Sequence, residues 1–242
     1  MSLRVQGLSH AFGPVEVLRD IALEVPAGAI VALVGPSGCG KTTLLHLCAG
    51  LIERQQGTIA NPFATAAVMF QQPRLLPWLT TRENIAIGLK ALGRARSERL
   101  ALADAEGGAM GLSPQALAQY PRELSGGMQS RAALARALVL RPDLLLMDEP
   151  FSALDIGLKS QLHQLLLARQ RSRRMAVLLI THDLVEAMRL ADEVLVMAAE
   201  PGRIVARFMP PVPALARGDA DVHAGVADLL REASVRSAFD LA

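Results

Sequence analysis

The sequence predicts an α/β fold with a buried parallel sheet, and three observations support this. Short aliphatic runs recur along the chain, among them 29–34, 144–147 and 176–180. Segments with helical spacing separate them. Apolar residues make up 51% of the 242 positions and aromatics 3%, which suits Val/Ile/Leu-rich buried strands with helices on both faces. The length allows one core plus a small subdomain.

Taken in order, residues 3–12 and 15–25 read as two strands around a Gly13-Pro14 turn. Phe12, just before the turn, can either stack on a flat base or fill a core. The run 29–34 leads into Gly35-Pro36-Ser37-Gly38-Cys39-Gly40-Lys41-Thr42-Thr43, and residues 44–50 follow as a helix. The spacing G-x-x-x-x-G-K-[ST] between strand and helix describes a phosphate-binding loop. Its backbone N–H groups turn inward on an anion, and the helix adds the positive end of its dipole. Lys41 is expected at the β- and γ-phosphates and the Thr42 hydroxyl on Mg²⁺. This loop points to a nucleotide without saying what the nucleotide is for. Cys39 and Cys48, the two cysteines, imply no disulfide framework and fit a reducing cytosol. Cys39 reads as a reactive thiol at a helix start or as a small filler.

Residues 57–60 and 66–70 are short strand candidates, the second ended by Gln71-Gln72-Pro73. Pro73 and Pro77 forbid regular helix or central strand in Arg74-Leu75-Leu76-Pro77-Trp78-Leu79-Thr80. This loop, with the only tryptophan, is either a satellite core or an exposed docking surface. From 81 to 140 the pattern is helical. One helix starts at Thr81, Ser97 caps another, Gly107-Gly108 and Gly111 break the pattern, and Ser113-Pro114 opens a new element. Arg94, Arg96 and Arg99 read as a solvated face. In Leu124-Ser125-Gly126-Gly127-Met128-Gln129, Ser125 is an N-cap candidate for a helix over 128–140. Its glycines offer a second helix end that an anion can approach closely.

The strand at 144–147 runs into Asp148-Glu149-Pro150. Carboxylates at the carboxyl end of a parallel strand lie where α/β sheets bind ligands. Asp148 suits Mg²⁺ and Glu149 suits a base that polarises water. Ser152-Ala153-Leu154-Asp155 leads into a helix over 157–174, whose basic end (Arg169, Arg171, Arg173, Arg174) fits a helix C-terminus. The strand 176–180 ends in Thr181-His182-Asp183, placing His182 at the same edge, where it can bond a γ-phosphate. His10, His46, His163 and His223 receive no role. Late strands at 193–197 and 203–208 flank Pro201-Gly202, residues 210–213 form a stiff linker, and an amphipathic helix over 219–234 covers the domain's own surface. A formal charge of +2 gives no argument for nucleic acid. No apolar run approaches the ~20 residues of a membrane span, and no signal-peptide apolar region opens the chain, so a protein soluble by itself is expected.

In this order, the pieces resemble the ATP-binding cassette (ABC) ATPases, from the first strand to about Phe208. Residues 35–43 look like Walker A, 144–149 like Walker B with its glutamate, and 124–129 like the signature. Gln71 looks like the Q-loop glutamine, 152–155 like the D-loop, His182 like the switch histidine, and Phe12 like the adenine-stacking A-loop aromatic. The resemblance implies a core at 1–70 and 141–208 that includes a small antiparallel β subdomain, a helical subdomain at 71–140, and a linker and helix at 209–242. It implies ATP and Mg²⁺, with Glu149, His182, Lys41 and Gln71 catalytic and Thr42, Gln71 and Asp148 on the metal. Nucleotide contacts are implied for Phe12, Val17, Gly35, Pro36, Ser37, Gly38, Cys39, Gly40, Lys41, Thr42, Thr43, Gln71 and Asp148. Asp155 is implied at the nucleotide as well, and Ser125, Gly126, Gly127, Met128 and Gln129 at the nucleotide of a second subunit, since family members pair head to tail as dimers.

Residues 75–80 and 200–204 resemble a narrower branch, the nitrate/sulfonate/taurine importers, which also covers other small organic anions and thiamine-precursor pyrimidines. For this branch a homodimer is expected on the cytoplasmic face of the bacterial inner membrane. Its partners would be permease subunits and, indirectly, a periplasmic or lipid-anchored solute-binding protein. Residues 56–68 look short for the branch, which suggests a trimmed β subdomain, and 219–234 match no motif. A P-loop kinase would have no use for Ser125-Gly126-Gly127. Soluble ABC proteins of DNA repair or the ribosome carry coiled-coil insertions or two cassettes, and neither is present here.

Overall fold

The computed structural model describes residues 1–152 and 154–241. Ala153, within the 152–155 motif of the sequence, and Ala242 lie outside the described residues. Strands β1 (Ser2–Phe12), β2 (Val15–Pro26) and β4 (Thr58–Ala60) form an antiparallel sheet with β1 in the middle. Strands β3 (Ile30–Val34), β5 (Ala66–Met69), β6 (Leu144–Asp148), β7 (Ala176–Ile180), β8 (Glu193–Ala198) and β9 (Arg203–Phe208) form a second sheet in the order β5-β6-β7-β3-β8-β9. Its first five strands are mutually parallel, and β9 alone runs antiparallel to its neighbour β8.

The strand period of two divides the parallel strands between two cores. Ile30, Ala32, Val34, Leu145, Met147, Val177 and Leu179 face one core, and Val31, Leu33, Leu144, Leu146, Leu178 and Ile180 face the other. Helices cover the first face. The second is not covered by helices alone, as composition suggested. It carries one helix, α1 (Lys41–Cys48), together with the antiparallel sheet. The hairpin buries Leu3 and Val5 on β1 and Ile21, Leu23 and Val25 on β2, and a sheet with one apolar face has to bury it against something.

The remaining helices are α2 (Thr81–Ala91), α3 (Arg96–Ala109), α4 (Pro114–Ala118), α5 (Gly126–Leu138), α6 (Ile156–Arg173), α7 (Leu184–Leu190), α8 (Asp219–Leu229) and α9 (Ala233–Ala238). A capping box of Thr80 and Glu83 starts α2, and Ser113 caps α4. Four expectations are corrected. Ser97 is not a cap, since α3 starts at Arg96, where Arg94–Glu98 and Arg96–Glu83 ion pairs hold the first turn. Gly107 and Gly108 do not break α3. At Gly107 a Cβ would lie 2.5 Å from Leu117 Cδ2, so this glycine serves close packing, and the chain turns instead at Gly111, with φ of +72°. Helix α5 begins two residues earlier than expected, because Ser125 caps the amide of Met128 and so draws the glycines into the first turn. The terminal helix is split into α8 and α9. Among the described residues, no helix is long and apolar enough to cross a membrane.

Candidate active site

Parallel pairing brings the distant motifs to one edge. Met69 pairs with Met147, Asp148 with Ile180, and Leu33 with Ile180. Counting two residues past each strand register sets Gln71 beside Glu149, and His182 beside Gly35. Side-chain contacts gather both Gln71 and His182 on Glu149. Gln71 Nε2 donates to Glu149 Oε2 at 3.1 Å, and His182 Nδ1 lies 3.2 Å from Glu149 Oε1. The carboxyl ends of parallel strands are where such sheets bind ligands.

The loop at 35–40 needs its glycines for space. A Cβ on Gly35 would sit 2.3 Å from the Met197 carbonyl oxygen, and one on Gly40, whose φ is +96°, would sit 2.7 Å from Leu18 Cδ2 and 3.2 Å from Val17 Cγ1. Ser37 and Gly38 are exposed at the tip, while Cys39 is buried. Lys41, also buried, donates to the carbonyls of Gly35 and Pro36 at 2.8 Å each, which arches the loop over its ammonium group. Pro36 and Thr43 are half-buried beside it. Burial holds the thiol of Cys39 above its usual range against the opposing charge of Lys41, so the filler alternative fits it and the reactive one does not. The thiol of Cys48 is pushed up to about 12 by burial.

Behind this loop, Thr42 Oγ1 donates to Asp148 Oδ2 at 2.8 Å. Burial, with the charge of Glu149 adding to it, raises the Asp148 carboxyl above its ordinary value, while the bond from Thr42 works the other way. A hydroxyl and a carboxylate side by side are hard oxygen donors of the kind Mg²⁺ prefers, leaving its other positions to water and phosphate. These residues therefore fit that ion. Glu149 takes a left-handed φ of +45°, a conformation that costs a non-glycine residue on the order of 1 kcal/mol or more. Its amide donates to the Ile180 carbonyl, and its own carbonyl accepts from the Ser152 hydroxyl at 3.0 Å. These bonds pin the main chain so that the carboxylate is presented at the sheet edge.

The other expected residues lie in different surroundings. Phe12 is 52% exposed at the end of β1, edge-on to His10 at 4.7 Å. It is free to stack and takes no place in a core. Ser125 and Gly126 are exposed, and Gly127 and Met128 half-buried, at the start of α5, which packs on α2 and α3 in the helical part of the chain. Gln129 donates to the carbonyls of Pro121 and Leu124, so its amide braces the loop before the helix. Asp155 caps α6 by accepting from the Leu158 amide at 2.9 Å.

Sequence reasoning missed three residues that shape the site. Asn84, fully buried, accepts from the Leu76 amide and donates to the carbonyls of Leu76, Leu79 and Thr80, fixing the loop that carries the 69%-exposed Trp78. Arg136 of α5 donates to the carbonyls of Pro73 and Arg74 at 2.6 and 2.9 Å, tying α5 to the chain just after Gln71. Gly202 packs against the phosphate loop, where a Cβ would meet the Cys39 carbonyl at 2.2 Å, and its amide donates to the Val17 carbonyl at 2.9 Å. The Pro201-Gly202 pair is the only one of these signals visible in the sequence.

A family model described as ABC transporter matches residues 18–152. The aliphatic sulfonates import ATP-binding protein SsuB 2 of Burkholderia cenocepacia is 46% identical over 200 residues, covering 80% of this chain and 72% of that protein. The taurine import ATP-binding protein TauB of Escherichia coli O157:H7 is 41% identical over 213 residues, covering 85% and 83%. Among solved structures, the dimeric ATP-binding cassette MJ0796 in a post-hydrolysis state, bound to ADP and Pi, superposes with a TM-score of 0.80 at 25% identity, covering 90% of this chain and all of that one. From the phosphate loop to the paired carboxylates, in fold and in sequence, the chain belongs to the ABC transporter family, as one of its ATP-binding cassettes.

Proposed function

We propose that this transport ATPase drives uptake of a small organic anion of the sulfonate or taurine class. It would work as an ATP-dependent head-to-tail homodimer beneath two permease subunits at the cytoplasmic face of the inner membrane, with a solute-binding protein delivering the solute. The solute class rests on the relatives, which are named as sulfonate and taurine import proteins. The observation that carries the hydrolytic reading is the convergence of Gln71 and His182 on Glu149, beside the Thr42–Asp148 pair.

In this reading residues 35–43 enclose the phosphates, and Lys41 exchanges its loop carbonyls for β- and γ-phosphate oxygens. Val17 and Phe12 flank the base, with Phe12 stacking on adenine. Thr42 and Asp148, with Gln71 nearby, hold Mg²⁺, which when bound offsets phosphate charge. Glu149 accepts a hydrogen bond from the attacking water and orients it, while His182 bonds the γ-phosphate. Residues 71–140 form a helical arm that presents Ser125, Gly126, Gly127, Met128 and Gln129 to the nucleotide of the partner subunit, and Asp155, at the start of α6, also contacts nucleotide. The rigid loop with exposed Trp78 receives the permease. Uptake of labelled taurine or an alkanesulfonate by cells carrying this chain with its own permease tests the solute class. Uptake that is lost with Lys41→Ala supports it, and uptake of a thiamine-precursor pyrimidine instead would move the chain within its branch.

A further inference from the structure

His182 is 60% exposed in its side chain, yet both of its neighbours are clamped. Thr181, 2% exposed, donates to Glu186 Oε2 at 2.6 Å and accepts from the Asp183 amide. Asp183 caps α7 through the amides of Val185 and Glu186, and its other oxygen accepts from Lys159 Nζ at 2.8 Å. Glu186, 3% exposed, lies 3.2 Å from His163 Nε2 and 3.4 Å from Lys159 Nζ through its second oxygen. Lys159 and His163 both stand on α6, Lys159 in the first turn after the Asp155 cap. The ring of His163 packs edge-on, at 4.7 Å, against Phe151, two residues beyond Glu149. The network therefore touches the chain on both sides of His182 and just after Glu149. A buried carboxylate that has lost its partners is costly, so the network holds together as a unit.

We propose that Glu186, with Lys159 and His163 of α6, is a positioning residue for hydrolysis that holds His182 opposite Glu149 and ties both to α6. This rests on the reading of Glu149 and His182 given above. Movement of α6 would reach His182 through Lys159 and His163.

A double-mutant cycle on the full-length protein tests this, with ATPase kinetics, binding of a non-hydrolysable ATP analogue and thermal unfolding measured for each variant. Glu186→Gln is expected to leave KM and analogue affinity unchanged. It should lower kcat by roughly ten- to a hundredfold, the scale of loss when a catalytic group is misplaced by about 1 Å. Combined with His182→Ala, it should be no slower than His182→Ala alone, since both remove one function. Lys159→Met, at the more accessible end of the network, should reproduce the loss if the buried glutamine variant fails to fold, and Lys159→Arg should restore activity. A normal kcat in Glu186→Gln or Lys159→Met while His182→Ala is slow would overturn the clamp and leave the hydrolytic reading intact, as would additive losses. A normal rate in His182→Ala would overturn the histidine's role and the clamp with it.

Discussion

At the scale of single residues, charge state and backbone pinning decide what this edge can do. Glu149 holds a strained φ because its amide and carbonyl are both bonded, and its carboxylate faces Gln71 and His182. Glu149→Gln keeps the shape and removes the basicity. It should retain ATP affinity while turnover falls by roughly 10²–10⁴-fold, the usual share of a general base; turnover within about twofold of wild type would mean another group orients the water. The Lys159–Asp183 pair gives a pH signature. Although burial opposes its charge, Asp183 sits below the usual carboxylate range because Lys159 and two amides bond it. A carboxyl depressed on folding adds stability above its unfolded pKa and loses it as pH falls through the folded value. Lys159 sits above its ordinary value, again against burial, because of its bond to Asp183 and the charge of Glu186. Its share is therefore present at neutral pH and lost as pH rises through that folded value. Both shares are full between about pH 5 and 9. Melting temperature measured against pH should fall less steeply on the acid side in Lys159→Met than in the wild type. Parallel acid limbs would show that the pair contributes nothing.

At the scale of elements, two supports hold the loops that matter. Gly202 leaves no room for a methyl group against the Cys39 carbonyl, so Gly202→Ala has to displace backbone of the phosphate loop. Overpacking should lower the melting temperature by a few degrees, and nucleotide affinity should drop at temperatures where the variant is still folded, readable by titration of an ATP analogue beside calorimetry. Unchanged affinity in the folded variant would make the contact structural only. Asn84 places four hydrogen bonds on the loop before and around its own helix start. Asn84→Ala leaves the part-buried Leu76 amide and Leu79 carbonyl without this partner, at about 1–2 kcal/mol. It should also mobilise Trp78, the only tryptophan, and so broaden its fluorescence anisotropy decay. An unchanged decay would show that the prolines alone hold the loop.

Over the whole molecule, what the sequence disclosed and what it hid divide along a physical line. The phosphate loop, the Asp148-Glu149 pair and His182 were legible because strand, turn and helix signals lie next to each residue. Their meeting follows from parallel register alone, which is why motifs 78 residues apart, such as Gln71 and Glu149, come together. Asn84, Arg136 and Glu186 were hidden because nothing in a short window says which backbone group or charge a buried polar side chain will meet. Arg136 reaches back 62 and 63 residues to its carbonyl partners. Apolar spacing that continues past Leu229 predicts a single terminal helix, whereas the chain turns at Arg231 and Glu232 before α9. Arg217 explains why that segment stays docked: it donates to the carbonyls of Met188, Ala191 and Val212, tying the chain before α8 to the end of α7.

The separation between the starts of α1 and α5 has the largest consequence. The start of α1 lies at the sheet edge, while the start of α5 lies in the helical part and opens to solvent at Ser125 and Gly126. In the proposed dimer, the second end completes a partner's site, so one chain alone is half of each nucleotide pocket. Sedimentation of purified Glu149→Gln, with and without ATP and Mg²⁺, tests this most directly. A shift from monomer to dimer that requires ATP and disappears when Ser125 is also replaced is the expected result. A Glu149→Gln protein that binds ATP yet sediments as a monomer at every concentration tested, or that dimerises equally well without Ser125, would contradict it.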